Sequence, residues 1–126
     1  MKKILEINDL KKLSKKKLPK MFYDYIDTGS YSGKTYEDNE NDFKKIKLKQ
    51  RVGINIKNRI FSTNILGKKY NYPFGLAPVG MGGMMYPNGE IVVAKIAKEM
   101  NIPYILSTMS ICSIEQVAEH ANSSFW

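Results

Sequence analysis

The chain has 126 residues, 43% hydrophobic and 25% charged, with 20 Lys and Arg against 12 Asp and Glu and a formal net charge of +8. This composition excludes a disordered or collagen-like chain and allows one ordinary globular unit or part of a larger one. One cysteine, Cys112, excludes an internal disulfide and a CxxC zinc site, and one histidine, His120, excludes a paired-histidine centre, so no metal site is expected.

Residues 4–17 place Ile4, Ile7, Leu10 and Leu13 at three-residue spacing, with Asn8 or Asp9 able to cap, which predicts a short amphipathic helix. Pro19 opens a second helix, carrying Met21, Phe22, Tyr25 and Ile26 and ending near Thr28. A small, polar loop over residues 29–33 follows, and then Thr35 with Asp38 suggests a capping arrangement before a short helix. Partial alternation over residues 48–72, with Gly67-Lys68 as a turn, predicts short strands.

Beyond Tyr72 the pattern changes. A buried strand over residues 73–78, a glycine-rich loop, a helix over 90–100, a strand over 102–106 and a helix capped by Ser113 and running to about His120 give the order β-loop-α-β-loop-α. Phe125-Trp126 reads as the opening of a third strand. Repeated βα units imply a parallel sheet, and two units with a third strand begun leave open edges. The chain therefore divides into an approach segment, 1–70, and an incomplete α/β segment, 71–126, far short of the roughly 250 residues of a full (β/α)8 barrel.

The longest mostly apolar stretch, residues 102–111, is broken by Pro103, Ser107, Thr108 and Ser110 and is far below the roughly 20 residues a spanning helix needs. Glu6 and Asp9 interrupt any signal-peptide core after Lys2 and Lys3, so a cytoplasmic location is expected. The dense cations, Lys11, Lys12 and Lys15 to Lys17, fall on a predicted helix where such a run is ordinarily a solvated face, and no nucleic-acid partner is expected. Gly80-Met81-Gly82-Gly83-Met84-Met85 fails as GxGxxG because its last position is Met, and no GK[ST] follows. A loop of small residues after a buried strand still lets a flat ligand approach the backbone. His120, at a helix end, reads as structural, and local chemistry alone leaves the function open.

Residues 18–26, Leu-Pro-Lys-Met-Phe-Tyr-Asp-Tyr-Ile, then Asn41-Asp42-Phe43 and Ile46, resemble the opening of the FMN-dependent 2-hydroxy acid oxidase and dehydrogenase family. The resemblance continues in register through Thr63-x-x-Leu66-Gly67, Pro73-x-Gly75-Leu76-Ala77-Pro78, Pro87-x-Gly89-Glu90 and Leu106-Ser107-Thr108-Met109-Ser110-x-Cys112-Ser113-Ile114-Glu115. Met109, where plant-type glycolate oxidases tend to have Trp, tilts it toward the bacterial L-lactate dehydrogenases.

The resemblance implies the N-terminal part of a TIM (β/α)8 barrel, stopping after about two βα units, with FMN as cofactor at the C-terminal face. It implies oxidation of a small L-2-hydroxy acid, with L-lactate going to pyruvate: the C2 hydrogen passes to the flavin while a histidine base takes the hydroxyl proton. It assigns Tyr25 to the substrate carboxylate and Pro78, Val79, Gly80 and Ser107 to the flavin. Val79 stands where the family usually has threonine, so a hydroxyl beside the cofactor is lost. The family's Gln-x-Tyr strand, its lysine, its histidine base and its two arginines would follow Trp126, so no catalytic residue is expected here and the chain alone is expected to be inactive. A quinone-type electron acceptor, peripheral attachment to the inner face of the cell membrane and a homo-oligomer would belong to the complete family protein. The rival expectation is a non-enzymatic interaction module that pairs through its open sheet edge.

Overall fold

A computed structural model gives the fold and describes residues 4–122 and 124–126. The chain divides into two compact units, Met1–Ile54 and Asn55–Trp126.

The first unit holds α1 (Ile7–Lys17), α2 (Lys20–Asp27), α3 (Lys34–Asn41) and one 3-10 turn (Asp42–Lys45). The first helix starts three residues later than its periodicity suggests. Glu6 precedes it in extended conformation, and Asp9 lies inside the first turn, its Oδ2 accepting from the Leu5 N–H at 3.2 Å. Pro19 sits one position before α2 and accepts there from the Phe22 and Tyr23 N–H groups at 3.0 and 3.1 Å. The expected Thr35 cap does not form. Gly33, at φ 70, precedes α3 in the left-handed region and Thr35 falls within the helix.

Asp27 ties the three helices together. Lys11 of α1 forms an ion pair with it, the Tyr36 hydroxyl of α3 donates to it at 3.4 Å, and Tyr23 is buried one turn away on α2. The Lys11 ammonium, followed by Tyr23, holds the Asp27 carboxyl below its ordinary range. Lys12 pairs with Asp9 at 3.5 Å, so the basic run is a solvated, partly ion-paired helix face.

The strand expectation over residues 48–72 reduces to one hairpin, in the second unit: β1 (Thr63–Ile65) and β2 (Lys68–Tyr70), in register Thr63 to Tyr70. Its turn residues Leu66 and Gly67 both take positive φ, the geometry that matches the twist of a two-residue hairpin. The preceding alternation of Val52, Ile54 and Ile56 forms no strand: all three side chains are exposed, and Gly53 turns the backbone to φ 75. Period-two spacing alone buries nothing without a partner strand to receive it.

The helices α4 (Gly82–Met85), α5 (Gly89–Met100) and α6 (Ile114–Ala121) follow. Ser113 caps the start of α6, as the sequence suggests, and Gln116 completes a reciprocal capping box with it. The two expected strands meet only at one parallel bridge between Leu76 and Tyr104, and the first is not buried: residues 73–78 are exposed except for half-buried Leu76. Pro73, Pro78 and Pro103 supply no N–H, which keeps the ladder short. Trp126 adds the third segment: its N–H donates to Tyr104 O at 3.0 Å and its carbonyl accepts from Leu106 at 2.7 Å. The core lies between α5, α6 and these segments, built from Ile91, Ala94, Ala97, Ile102, Tyr104, Val117 and Ala121. Alanines on the buried face of α5 let it approach closely, and Asn101, left-handed at its end, bonds back to Lys69 and Asn71 beside the hairpin.

Candidate functional site

Leu76 donates to Pro103 O at 2.8 Å and accepts from Ile105 at 3.1 Å, which fixes the register of the two parallel segments. Their C-terminal ends therefore emerge side by side, residues 78–81 next to 107–109, and the Met81 N–H donates to Met109 O at 2.8 Å. A Cβ added to Gly80 would stand 3.8 Å from Ser107 Oγ and 3.5 Å from Met109 Cβ, so these two expected site residues are neighbours.

Ser107 Oγ accepts from the Met109 N–H at 3.1 Å, which leaves its own hydrogen to donate elsewhere. Among the described residues the Val79 and Gly80 N–H groups have no acceptor. Val79 is 67% exposed, and Pro78 and Gly80 are exposed beside it. Adjoining strand ends thus offer two backbone donors and one hydroxyl, with no Cβ at Gly80 to stand between them and a ligand. A flat heteroaromatic carrying acceptor atoms along one edge, as the flavin of FMN does, suits such a donor set.

Tyr25 lies on α2 with 63% of its surface exposed. His120 is exposed in the last turn of α6, its Nδ1 2.9 Å from Gln116 O. That places it at a helix end, as its sequence position suggests, and not with the strand-end loops.

The residue sequence reasoning missed is Glu90. It enters the sequence argument only as part of Pro87-x-Gly89-Glu90, yet its side chain is 3% exposed in the first turn of α5. Its Oε1 accepts from the Gly83 N–H at 2.8 Å and the Ile111 N–H at 3.0 Å, joining the two strand-end loops. Gly83 is required there, since a Cβ would come within 2.8 Å of Ile111 Cβ and 2.9 Å of Glu90 Oε2. The available signal was a carboxylate directly after a glycine-rich loop, with glycines at 82, 83 and 89 marking close approach.

Burial pushes the Glu90 carboxyl up, but the amides of Ile111 and Gly83, its own backbone N–H and the Cys112 thiol outweigh it and leave it below its ordinary 4.5. Burial and the Glu90 charge push the Cys112 thiol up, so it stays protonated. Because the folded-state pKa of Glu90 is depressed, its contribution is complete above the ordinary carboxylate value and is lost as pH falls below it. The urea midpoint of the second unit is therefore expected to drop as pH is taken from 7 to about 3. Glu90→Gln is expected to flatten that acid limb. Equal slopes in the two proteins would remove Glu90 as its source.

No helix among the described residues is long and apolar enough to cross a membrane. Residues 14–126 match the family model of the FMN-dependent dehydrogenases. The chain is 40% identical over 123 residues to the L-lactate dehydrogenase of Pseudomonas syringae pv. syringae (strain B728a), covering 98% of this chain and 32% of that protein. It is 31% identical to the (S)-mandelate dehydrogenase of Pseudomonas putida, covering 98% and 31%. The solved structure of a soluble mutant of the membrane-associated (S)-mandelate dehydrogenase from Pseudomonas putida superposes with a TM-score of 0.91 at 31% identity, over 98% of this chain and 36% of that one. The chain thus spans about a third of the length of the relatives it matches, and its fold is the N-terminal part of the same barrel. With a match that runs from the second half of α1 to Trp126, the chain belongs to the FMN-dependent dehydrogenase family, whose cofactor is FMN.

Proposed function

We propose that this chain contributes flavin-binding and substrate-binding residues to an enzyme oxidising L-2-hydroxy acids, with L-lactate as substrate and pyruvate as product. The observation that carries this reading is the meeting of Gly80 and Ser107 at adjoining parallel strand ends within a family-wide match. The chemistry FMN supplies there is two-electron oxidation, acceptance of the hydrogen on C2 of the hydroxy acid. With FMN bound, the Val79 and Gly80 N–H groups and the Ser107 hydroxyl would be the donors available to acceptor atoms of its ring edge. Tyr25, as a phenol, donates to the substrate carboxylate without adding a charge. By the family resemblance the hydroxyl proton goes to a histidine base, and His120, exposed at the end of α6, is not assigned that role.

L-lactate is favoured over mandelate by the higher identity to an L-lactate dehydrogenase, 40% against 31%. A quinone-type acceptor at the inner face of the membrane is supported by the membrane association of the related (S)-mandelate dehydrogenase.

The test is to place this sequence in the matching segment of the Pseudomonas syringae L-lactate dehydrogenase, alongside the chain alone. The chain alone, given FMN and L-lactate, is expected to leave an artificial electron-accepting dye unreduced. The chimera is expected to bind FMN and to favour L-lactate over (S)-mandelate by at least about tenfold in kcat/KM. A flavin-loaded chimera preferring mandelate would overturn the substrate, and a folded chimera without flavin would overturn the role of the strand-end loops.

A further inference from the structure

We propose that Glu90 is a positioning residue, the buried carboxylate that sets the spacing of the two strand-end loops carrying Gly80 and Ser107; this rests on the reading that those loops hold the flavin edge.

Three observations carry it. Gly83 and Ile111, the two donors to Glu90 Oε1, lie three residues beyond Gly80 and four beyond Ser107. Besides Glu90, the loops are joined by the backbone bond from Met81 to Met109. The carboxylate is also expensive where it stands: Oε2 meets no hydrogen-bond partner, and the nearby Cys112 thiol is a weak donor. An apolar residue of similar volume would fill the same space without that desolvation penalty. What it could not do is accept two amides at once from separate loops, and charge-assisted acceptance is stronger than neutral. A half-satisfied buried carboxylate held between two ligand-facing loops is the signature of a group kept for geometry.

The experiment uses the whole chain, isotopically labelled, with Glu90→Leu, which keeps volume and removes both acceptors, and Glu90→Gln, which keeps one. Glu90→Leu is expected to accelerate amide exchange at Met81, Gly83 and Ile111 by about tenfold or more, leaving Ala94 and Ala97 within about twofold. Glu90→Gln is expected to restore part of the protection. If Glu90→Leu does not fold, the wild-type chain still decides: the Gly83 and Ile111 amide proton shifts are expected to follow one acid titration together. Unchanged exchange at the three amides, acceleration spread evenly over the core, or amide shifts that ignore pH would overturn the proposal. FMN binding by the chimera separates the two readings, because it reports flavin contact independently of exchange. Localised exchange effects in the chain with a folded chimera that takes up no FMN would sustain the clamp and overturn the flavin-edge reading.

Discussion

Replacing Val117 with aspartate is expected to abolish the folded state of the second unit. Val117 is 0% exposed, on the face of α6 that packs with Ile91, Ala94, Ala97, Ile102, Tyr104 and Ala121. None of these neighbours carries a cation, so a carboxylate there would be buried without a partner or would have to be protonated to remain. Either route costs several kcal/mol, on the order of the whole stability of a small domain, about 5–15 kcal/mol. Valine to alanine at the same site is expected to cost only ~2 kcal/mol, since it removes methyl groups and leaves a small cavity. Glu119→Ala, on the exposed side of the same helix, is expected to stay within about 0.5 kcal/mol. Urea unfolding followed by circular dichroism checks all three. An aspartate variant with an unshifted midpoint would mean that α6 does not pack as described.

The contrast between α6 and residues 48–62 shows what the sequence made legible. Ser113 and Gln116 are three apart and satisfy each other's backbone donors, a local device that works wherever the chain goes, and the helix starts where they place it. The hairpin turn was legible from Gly67, but it falls at Leu66-Gly67, one residue before the expected Gly67-Lys68, and Lys68 opens β2. Strands over 48–62 depended on a partner that spacing cannot reveal, and the apolar residues there stay exposed. Glu90 was hidden by a different ambiguity: an acid in a first helical turn ordinarily complements the dipole from solvent, so only the tertiary meeting of Gly83 and Ile111 shows it to be buried. Gly80 and Ser107 lie 27 positions apart, and their nearness follows from the parallel register, which the family resemblance implied and residue spacing alone did not.

That register is itself testable at Gly75. A Cβ placed there would stand 2.8 Å from both Pro103 Cβ and the Pro103 carbonyl oxygen. The oxygen cannot withdraw without breaking the bond it accepts from the Leu76 N–H, and Pro103, with its ring and fixed φ, has little freedom to move instead. Gly75→Ala is therefore expected to cost about 1–3 kcal/mol, and Gly75→Val more, because branching adds two methyl groups to the same overlap. The damage is expected to reach the candidate site as well as stability. With Leu76 and Tyr104 forced apart, the strand ends separate and the Met81 to Met109 bond is lost, so the Met81 amide should exchange as fast as an open loop. The α5 amides of Ala94 and Ala97 should remain protected in the alanine variant at temperatures well below its transition. If Gly75→Val leaves both the urea midpoint and the Met81 exchange rate unchanged, the two segments are not paired through Leu76 and Tyr104, and Gly80 and Ser107 lose the framework that brings them together.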